Sequence, residues 1–180
     1  MIEVFDDYLP KEMYQKTRDV LLGDTFPWFY CDRVLDPQDP YSVSGDDAKN
    51  IFQMTHTFYY QWEYCSAFGP LVTPIMEHMN IFQPLRVKAN LTYKADQNYE
   101  TGWHIDFKLG GKPQKCKTAL LYFTTTNGPT KFKSDGDDIV VDCVENRLVV
   151  FDNCDENLHC GTMATDELRR VVINFNWFEF

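Results

Sequence analysis

The run Thr101-Gly-Trp-His-Ile-Asp-Phe107 holds the side chains with the clearest chemical use. His104 and Asp106 are two residues apart, and a β-strand projects residues at that spacing to one face. Such a pair is a two-ligand arm for a metal ion, and a third ligand must come from elsewhere. Of the other histidines, His56 and His78 sit in or near segments that read as helical, whereas His159 lies between two strand-like runs. His159 is therefore the natural third ligand. Two histidines and a carboxylate on one face of an iron leave the opposite positions open, the arrangement of non-haem Fe(II) centres that activate oxygen. Zinc is the rival metal, although it more often takes a closed Cys-rich site or, when catalytic, a three-histidine one.

Ten and eleven residues after His159 come Arg169 and Arg170, which lead into Val171-Val-Ile-Asn-Phe-Asn-Trp177. A cation on that strand can hold an anionic cosubstrate beside the metal. Alternation separates the two arginines. Arg169 shares a face with Val171, Ile173, Phe175 and Trp177, which suits packing against helices, whereas Arg170 shares one with Val172, Asn174 and Asn176, which suits a polar lumen. Arg170 is favoured, with Arg169 as the alternate.

These residues need a scaffold. Leu9-Pro10 followed by Lys11 to Leu22 reads as a helix with Pro near its start and Gly23 at its end. Residues 24–50 carry Pro27, Pro37, Pro40, Gly45 and many Asp, and read as loop around a Trp28-Phe-Tyr30 strand. From Tyr59 to Asn80 the spacing of Phe68, Leu71, Ile75 and Met79 predicts a second helical region, broken in two at Gly69-Pro70. Beyond it Leu85–Tyr93 alternates, and Thr118–Thr124, Asp138–Asp142, Arg147–Phe151 and Arg169–Phe178 read as strands. Helices first and strands later predict a sandwich or barrel braced by helices.

The chain has 180 residues, 44% of them hydrophobic, which suits one domain with a real core. Aromatic residues reach 16%, in keeping with a β-rich interior. Seventeen Lys plus Arg against 27 Asp plus Glu give a net charge of −10, which disfavours nucleic acid and anionic membrane surfaces as partners. No apolar run is long enough to span a membrane, and the N-terminus lacks the pattern of a secretory signal, so a cytoplasmic protein is expected. The six cysteines include no CxxC pair and are expected to stay reduced. His56 and His78 are read as structural or solvent-facing, Cys160 as a small core residue, and Asp135, Asp137 and Asp138 as a polar turn.

The order HxD, then a histidine 55 positions on, then Arg before a final strand resembles the 2-oxoglutarate/Fe(II)-dependent dioxygenases. More narrowly it resembles their prolyl 4-hydroxylase-like branch. The matching text is Arg86-Val-Lys-Ala-Asn-Leu-Thr-Tyr93, Gly102-Trp-His-Ile-Asp106, Thr118-Ala-Leu-Leu-Tyr122, Asn127-Gly-Pro-Thr-Lys-Phe132, Asn146-Arg-Leu-Val-Val-Phe151, His159-Cys-Gly-Thr162 and Arg170-Val-Val-Ile-Asn174. It covers residues 85–178, and Val4-Phe-Asp-Asp-Tyr-Leu-Pro10 also resembles the opening of such proteins, small phage-type members included.

The resemblance implies a mainly β domain over residues 1–180, with a double-stranded β-helix (jelly-roll, cupin-like) core at 84–180 and a helical N-terminal part at 1–83. It implies that His104, Asp106 and His159 bind Fe(II), with no catalytic side chain beyond the metal centre. Arg170 would pair with the distal carboxylate of 2-oxoglutarate through its planar fork. Tyr122 would reach the same carboxylate, and Tyr93 would line the pocket. The implied activity is hydroxylation of a C–H bond with O2, releasing succinate and CO2, with ascorbate as reductant. A prolyl or other peptidyl substrate comes first, a free amino acid or small metabolite second and a nucleobase third; a phage-borne protein would work in the host cytoplasm. Two other readings stand beside it: a cupin-like metalloprotein that does not use 2-oxoglutarate, and a nonenzymatic jelly roll.

Overall fold

The alternation along the later half of the chain becomes a β framework in the computed structural model of the protein, which describes residues 1–35, 42–43, 47–109 and 112–179. In chain order the elements are β1 (Ile2–Phe5), α1 (Lys11–Leu22), β2 (Phe29–Cys31), β3 (Gln53–Tyr60), β4 (Glu63–Tyr64), α2 (Gly69–His78) and β5 (Pro84–Tyr93). There follow β6 (Lys108–Leu109), β7 (Lys112–Pro113), β8 (Lys117–Tyr122), β9 (Thr126–Phe132), β10 (Ile139–Cys143), β11 (Leu148–Asp152), β12 (His159–Gly161) and β13 (Arg169–Trp177).

The larger sheet runs β1-β11-β8-β13-β5-β3-β2, with β4 pairing on β3; the smaller runs β10-β9-β12. All pairings are antiparallel, so each strand sends alternate residues to opposite faces. On β5 the odd residues Leu85, Val87, Ala89 and Leu91 are buried. On β13 Val171, Ile173 and Phe175 stand on the same side of the sheet and join Val87, Ala89, Leu91, Phe58 and Leu121 in one apolar cluster. The two helices close that cluster with Tyr14, Leu21, Val72 and Ile75. Complete burial of a Phe or Leu side chain there contributes about 1.5–3 kcal/mol. The other face of the sheet meets the smaller sheet across Leu120, Tyr122, Phe132, Val149, Phe151 and Val172. The result is a jelly-roll core braced by helices on one side.

Asn146, with φ at 58°, fastens the N-terminus to this frame: its Oδ1 accepts from the Leu9 amide at 2.9 Å and its Nδ2 donates to the Leu9 carbonyl at 3.0 Å. Asn tolerates that left-handed conformation better than most residues.

The N-terminal part departs from the sequence expectation. Gln53–Tyr60, for which no strand was expected, is a strand of the larger sheet, and β4 pairs on it; β2 falls on the strand expected at Trp28–Tyr30. Thr55, Thr57, Phe58, Tyr59 and Tyr60 favour a pleated strand, and Phe58 is wholly buried by it. Gln61 and Trp62, both with positive φ, then turn the chain into β4 as a two-residue hairpin. Gly69-Pro70 does not break a helix but begins one, because Pro at the first helical turn lacks only an amide that would have no helical partner.

Candidate metal and cosubstrate site

The HxD run reaches its place through Gly102, whose φ of 94° is readily adopted only by glycine. After that turn His104 faces His159 of β12 in a bridge, with amide-to-carbonyl hydrogen bonds of 2.9 and 3.1 Å running both ways. The two imidazoles stand 4.5 Å apart between centroids. His104 Nδ1 is 3.0 Å from the Gly102 carbonyl and His159 Nδ1 is 3.2 Å from the Asn157 carbonyl. A carbonyl only accepts, so each Nδ1 carries the proton and each Nε2 keeps its lone pair. Those lone pairs meet the Asp106 carboxylate, whose Oδ1 lies 3.8 Å from His104 Nε2 and whose Oδ2 lies 3.4 Å from His159 Nε2. One ligand atom from each residue falls within 4.8 Å of the others, and among the described residues this is the one such cluster.

Asp106 is held from behind. Arg86 Nη2 is 3.3 Å from Asp106 Oδ1, Arg86 Nε donates to Asn176 Oδ1 at 2.9 Å, and Asn176 Nδ2 donates to Thr118 Oγ1 at 2.9 Å. Burial alone would raise the Asp106 carboxyl, but His159, Arg86 and His104 together hold it well below the usual carboxylate range. It stays an anion, and its buried Oδ2 has no hydrogen-bond partner. An anionic oxygen without a donor, facing two imidazole lone pairs, is the arrangement a divalent cation completes. The donor set fits Fe(II). Arg86 was not singled out from the sequence; its even position on the alternating β5 was the available signal.

Burial, and after it the charge of His159, pulls His104 down to about 4 from its ordinary 6.5. The unfolded chain therefore binds that proton more readily than the folded one. This contribution to the stability of the chelator-treated protein is complete above pH 6.5 and drains away as the pH falls to about 4. Thermal melts across that interval should show a steadily falling midpoint, with a flatter profile for His104→Gln.

Arg170 projects into the space between the sheets and is 8% exposed. Its Nε donates to the Gly128 carbonyl at 2.7 Å and its Nη2 to Thr130 Oγ1 at 3.0 Å. Tyr122 lies with its ring 5.5 Å from the guanidinium and donates its hydroxyl to the same Thr130 oxygen at 2.7 Å. Among the described residues no carboxylate pairs with Arg170, so a buried cation is left facing a cavity. Arg169 points the other way and donates to the Leu22 carbonyl at 3.0 Å. Gly128 leaves room for Arg170: a Cβ there would come 2.5 Å from the Thr162 carbonyl and 3.2 Å from Arg170 Cδ. Gly128→Ala should lower stability in urea by about 1–3 kcal/mol, since the nearest obstacle is backbone.

Tyr93 does not line the cavity. Thr92 faces the cavity, whereas Tyr93, one residue on, packs with the helix-side core, its ring tilted against Phe52 at 6.1 Å between centroids. A shift of one residue on a strand reverses the face. Tyr122 sits beside Arg170 with its hydroxyl already committed to Thr130.

His56 bonds the Pro27 carbonyl and Ser66 Oγ, both at 2.8 Å, among Phe26, Phe58 and Phe68. That is a structural histidine. All six cysteines are unpaired, and the buried Cys160 is pushed up to about 12 by desolvation.

The cavity that these groups share has a volume of about 210 Å³ and is lined by residues of both sheets. Five of the six buried side-chain polar atoms without a partner, among the described residues, lie on it: Asn90 Oδ1, Thr92 Oγ1, Asp106 Oδ2, Thr162 Oγ1 and Asn174 Oδ1. Native interiors leave few such atoms, so their concentration here marks a chamber built for a polar ligand.

No protein-family model matches the chain, and no curated protein does. Solved structures do. A prolyl hydroxylase from Trichoplax adhaerens, in complex with a hypoxia-inducible-factor oxygen degradation domain peptide fragment, superposes with a TM-score of 0.67 at 13% identity, over 98% of this chain and 83% of that one. A 2OG-Fe(II) oxygenase family oxidoreductase from Burkholderia pseudomallei also gives 0.67, at 8% identity over 98% and 84%. The viral collagen prolyl hydroxylase of Paramecium bursaria Chlorella virus-1, in its 2OG complex, gives 0.58 at 15% identity over 97% and 94%. The chain thus has the jelly-roll fold of these 2-oxoglutarate Fe(II) oxygenases, prolyl hydroxylases among them.

Proposed function

We propose that the protein is an Fe(II)- and 2-oxoglutarate-dependent oxygenase that hydroxylates a C–H bond of its substrate. The observation that carries this reading is the coincidence, in one cavity, of the His104, Asp106 and His159 donors with a buried arginine that has no carboxylate partner. A cupin-like metal binder has no use for that cation, which cannot be buried unpaired without a free-energy cost.

His104, Asp106 and His159 would hold the metal, and Arg170 the distal carboxylate of 2-oxoglutarate. Together the bound Fe(II) and 2-oxoglutarate supply the oxidising chemistry: one oxygen atom of O2 enters the substrate as a hydroxyl and the other enters succinate as CO2 leaves. The protein's own residues do the rest. Arg86 fixes which carboxylate oxygen of Asp106 faces inward. The Gly102 and Asn157 carbonyls fix both imidazole tautomers and ring orientations. Thr130 and the Gly128 carbonyl aim the Arg170 guanidinium, and the apolar wall of Leu120 and Val172 keeps bulk water from the reacting carbon. Ascorbate is the proposed reductant between turnovers.

A peptide is the first substrate reading and proline its first target, supported by the peptide-bound Trichoplax neighbour; a small amino acid derivative is the second. Anaerobic addition of Fe(II) and then 2-oxoglutarate to the metal-free protein tests the reaction class. A weak visible charge-transfer band that requires both additions is expected, and it should be absent from His104→Ala. Metal binding with no response to 2-oxoglutarate in the intact protein would overturn the oxygenase reading in favour of the cupin-like one.

A further inference from the structure

One cation in the cavity is left over by the proposed chemistry. Arg86 is engaged with Asp106 and Asn176, and Arg170 with Gly128 and Thr130. Lys88, two residues after Arg86 on the same face of β5, has neither a hydrogen bond nor an ion pair among the described residues, although it lies on the cavity wall. An ammonium group has three donors and a charge that needs compensation when it is removed from water. Lys88 is half-buried, and burial, with the Arg86 guanidinium adding to it and Asp106 opposing it, pulls its amine down to about 8.

Its neighbours are polar and also unsatisfied. Asn174 is directly opposite Lys88 in the β5–β13 register, and Asn90 is the next residue along the same face of β5. Their Oδ1 atoms are two of the partnerless buried atoms, so neither amide oxygen takes a proton from Lys88. Each Asn also carries an NH2 group, which together with the ammonium gives a set of donors suited to an oxyanion.

Position then separates this group from the cosubstrate's cation. Arg170 is opposite Thr92, four residues along β5 from Lys88 and about 13 Å away by strand rise. Lys88 further lines a second, outer pocket with Cys31, Val34, Leu35, Gln53 and Thr55. It therefore stands where the inner chamber meets that outer pocket.

We propose that Lys88, with Asn90 and Asn174, forms a second carboxylate-binding subsite, and that the substrate carries a carboxylate close to the carbon that is hydroxylated. That carboxylate belongs either to a free or C-terminal amino acid or to an Asp or Glu side chain beside the target. The inference rests on the oxygenase reading above and selects a substrate class within it.

The test uses the intact protein, loaded anaerobically with Fe(II) and 2-oxoglutarate. Calorimetry would follow addition of proteinogenic amino acids including proline, their N-acetyl forms, the matching carboxamides, and proline peptide amides with or without a neighbouring Asp or Glu. The expected result is binding by at least one acid and at least about tenfold weaker binding by its amide, since loss of the anion leaves the ammonium unpaired. Free and N-acetyl acids as the binders identify a terminal carboxylate; acidic peptide amides identify a side chain. Lys88→Met should abolish the preference for acid over amide, and Lys88→Arg should retain much of it. Equal binding of acid and amide, or no binding by any acid, would overturn the proposal. So would a Lys88→Met protein that loses 2-oxoglutarate affinity as severely as Arg170→Met, because Lys88 would then serve the cosubstrate. Failure of the intact protein to take up Fe(II) and 2-oxoglutarate at all would strike the oxygenase reading itself, and is seen before any acid is added.

Discussion

Arg170→Met is expected to weaken 2-oxoglutarate binding by about 2–5 kcal/mol, because the cosubstrate's distal carboxylate would then be desolvated without a partner. The same substitution is expected to raise the melting temperature of the cosubstrate-free protein. In that state the guanidinium is buried, is satisfied only by the neutral oxygens of Gly128 and Thr130, and has no carboxylate to offset its lost hydration. Replacing an uncompensated buried charge by a flexible apolar side chain of similar length removes that penalty, although the Gly128 carbonyl gives up a donor. Opposite signs for affinity and stability distinguish a ligand-binding arginine from a structural one. Anaerobic titration and thermal unfolding of the two proteins decide it; a lower melting temperature with unchanged affinity would mean that Arg170 is part of the scaffold.

Asp106→Asn is expected to abolish turnover and to lower metal affinity by more than about 100-fold, beyond the 10- to 100-fold typical of changes one layer further out. The amide keeps the shape of the carboxylate but loses the charge, and it leaves Arg86 and a divalent cation facing each other without the anion between them. Equilibrium dialysis against Fe(II) measures the loss, and Arg86→Met, which spares all three donors, should show a smaller one. Full retention of metal by Asp106→Asn would place the ion elsewhere in the protein.

Much of this site was legible because strands alternate. The spacing of His104 and Asp106, and the contrast between the Arg169 and Arg170 faces of the last strand, depend only on period two, and the structure shows both arginines on the faces that alternation assigns. The same alternation puts Tyr93 on the face of β5 away from the cavity. That residue was assigned through the resemblance and not by the parity of its own strand, and parity sends Thr92 to the cavity instead. Gln53–Tyr60 was missed because residues 51–58 were given no element and the helical spacing from Phe68 to Met79 was extended back to Tyr59; the aromatic and β-branched run from Thr55 was the better guide. Arg86 and Lys88 were visible as residues but not as roles. Whether a charged side chain on β5 meets Asp106, an asparagine or nothing depends on how β5 pairs with β13 and on where the HxD loop lies, and both are set by contacts far apart in sequence.

The paired backbone hydrogen bonds between His104 and His159 have a consequence for dynamics. They seal the outer edge of β12, a three-residue strand that would otherwise offer unpaired amides to solvent, and Glu100 and Thr162 extend the seal in a second bridge. Docking of the segment that carries His104 is thus recorded in the amide of His159 itself. Hydrogen exchange at that one amide gives the opening free energy of the segment with no ion present, and the slowing of exchange when Fe(II) is added measures how firmly the ion staples the two parts of the chain together.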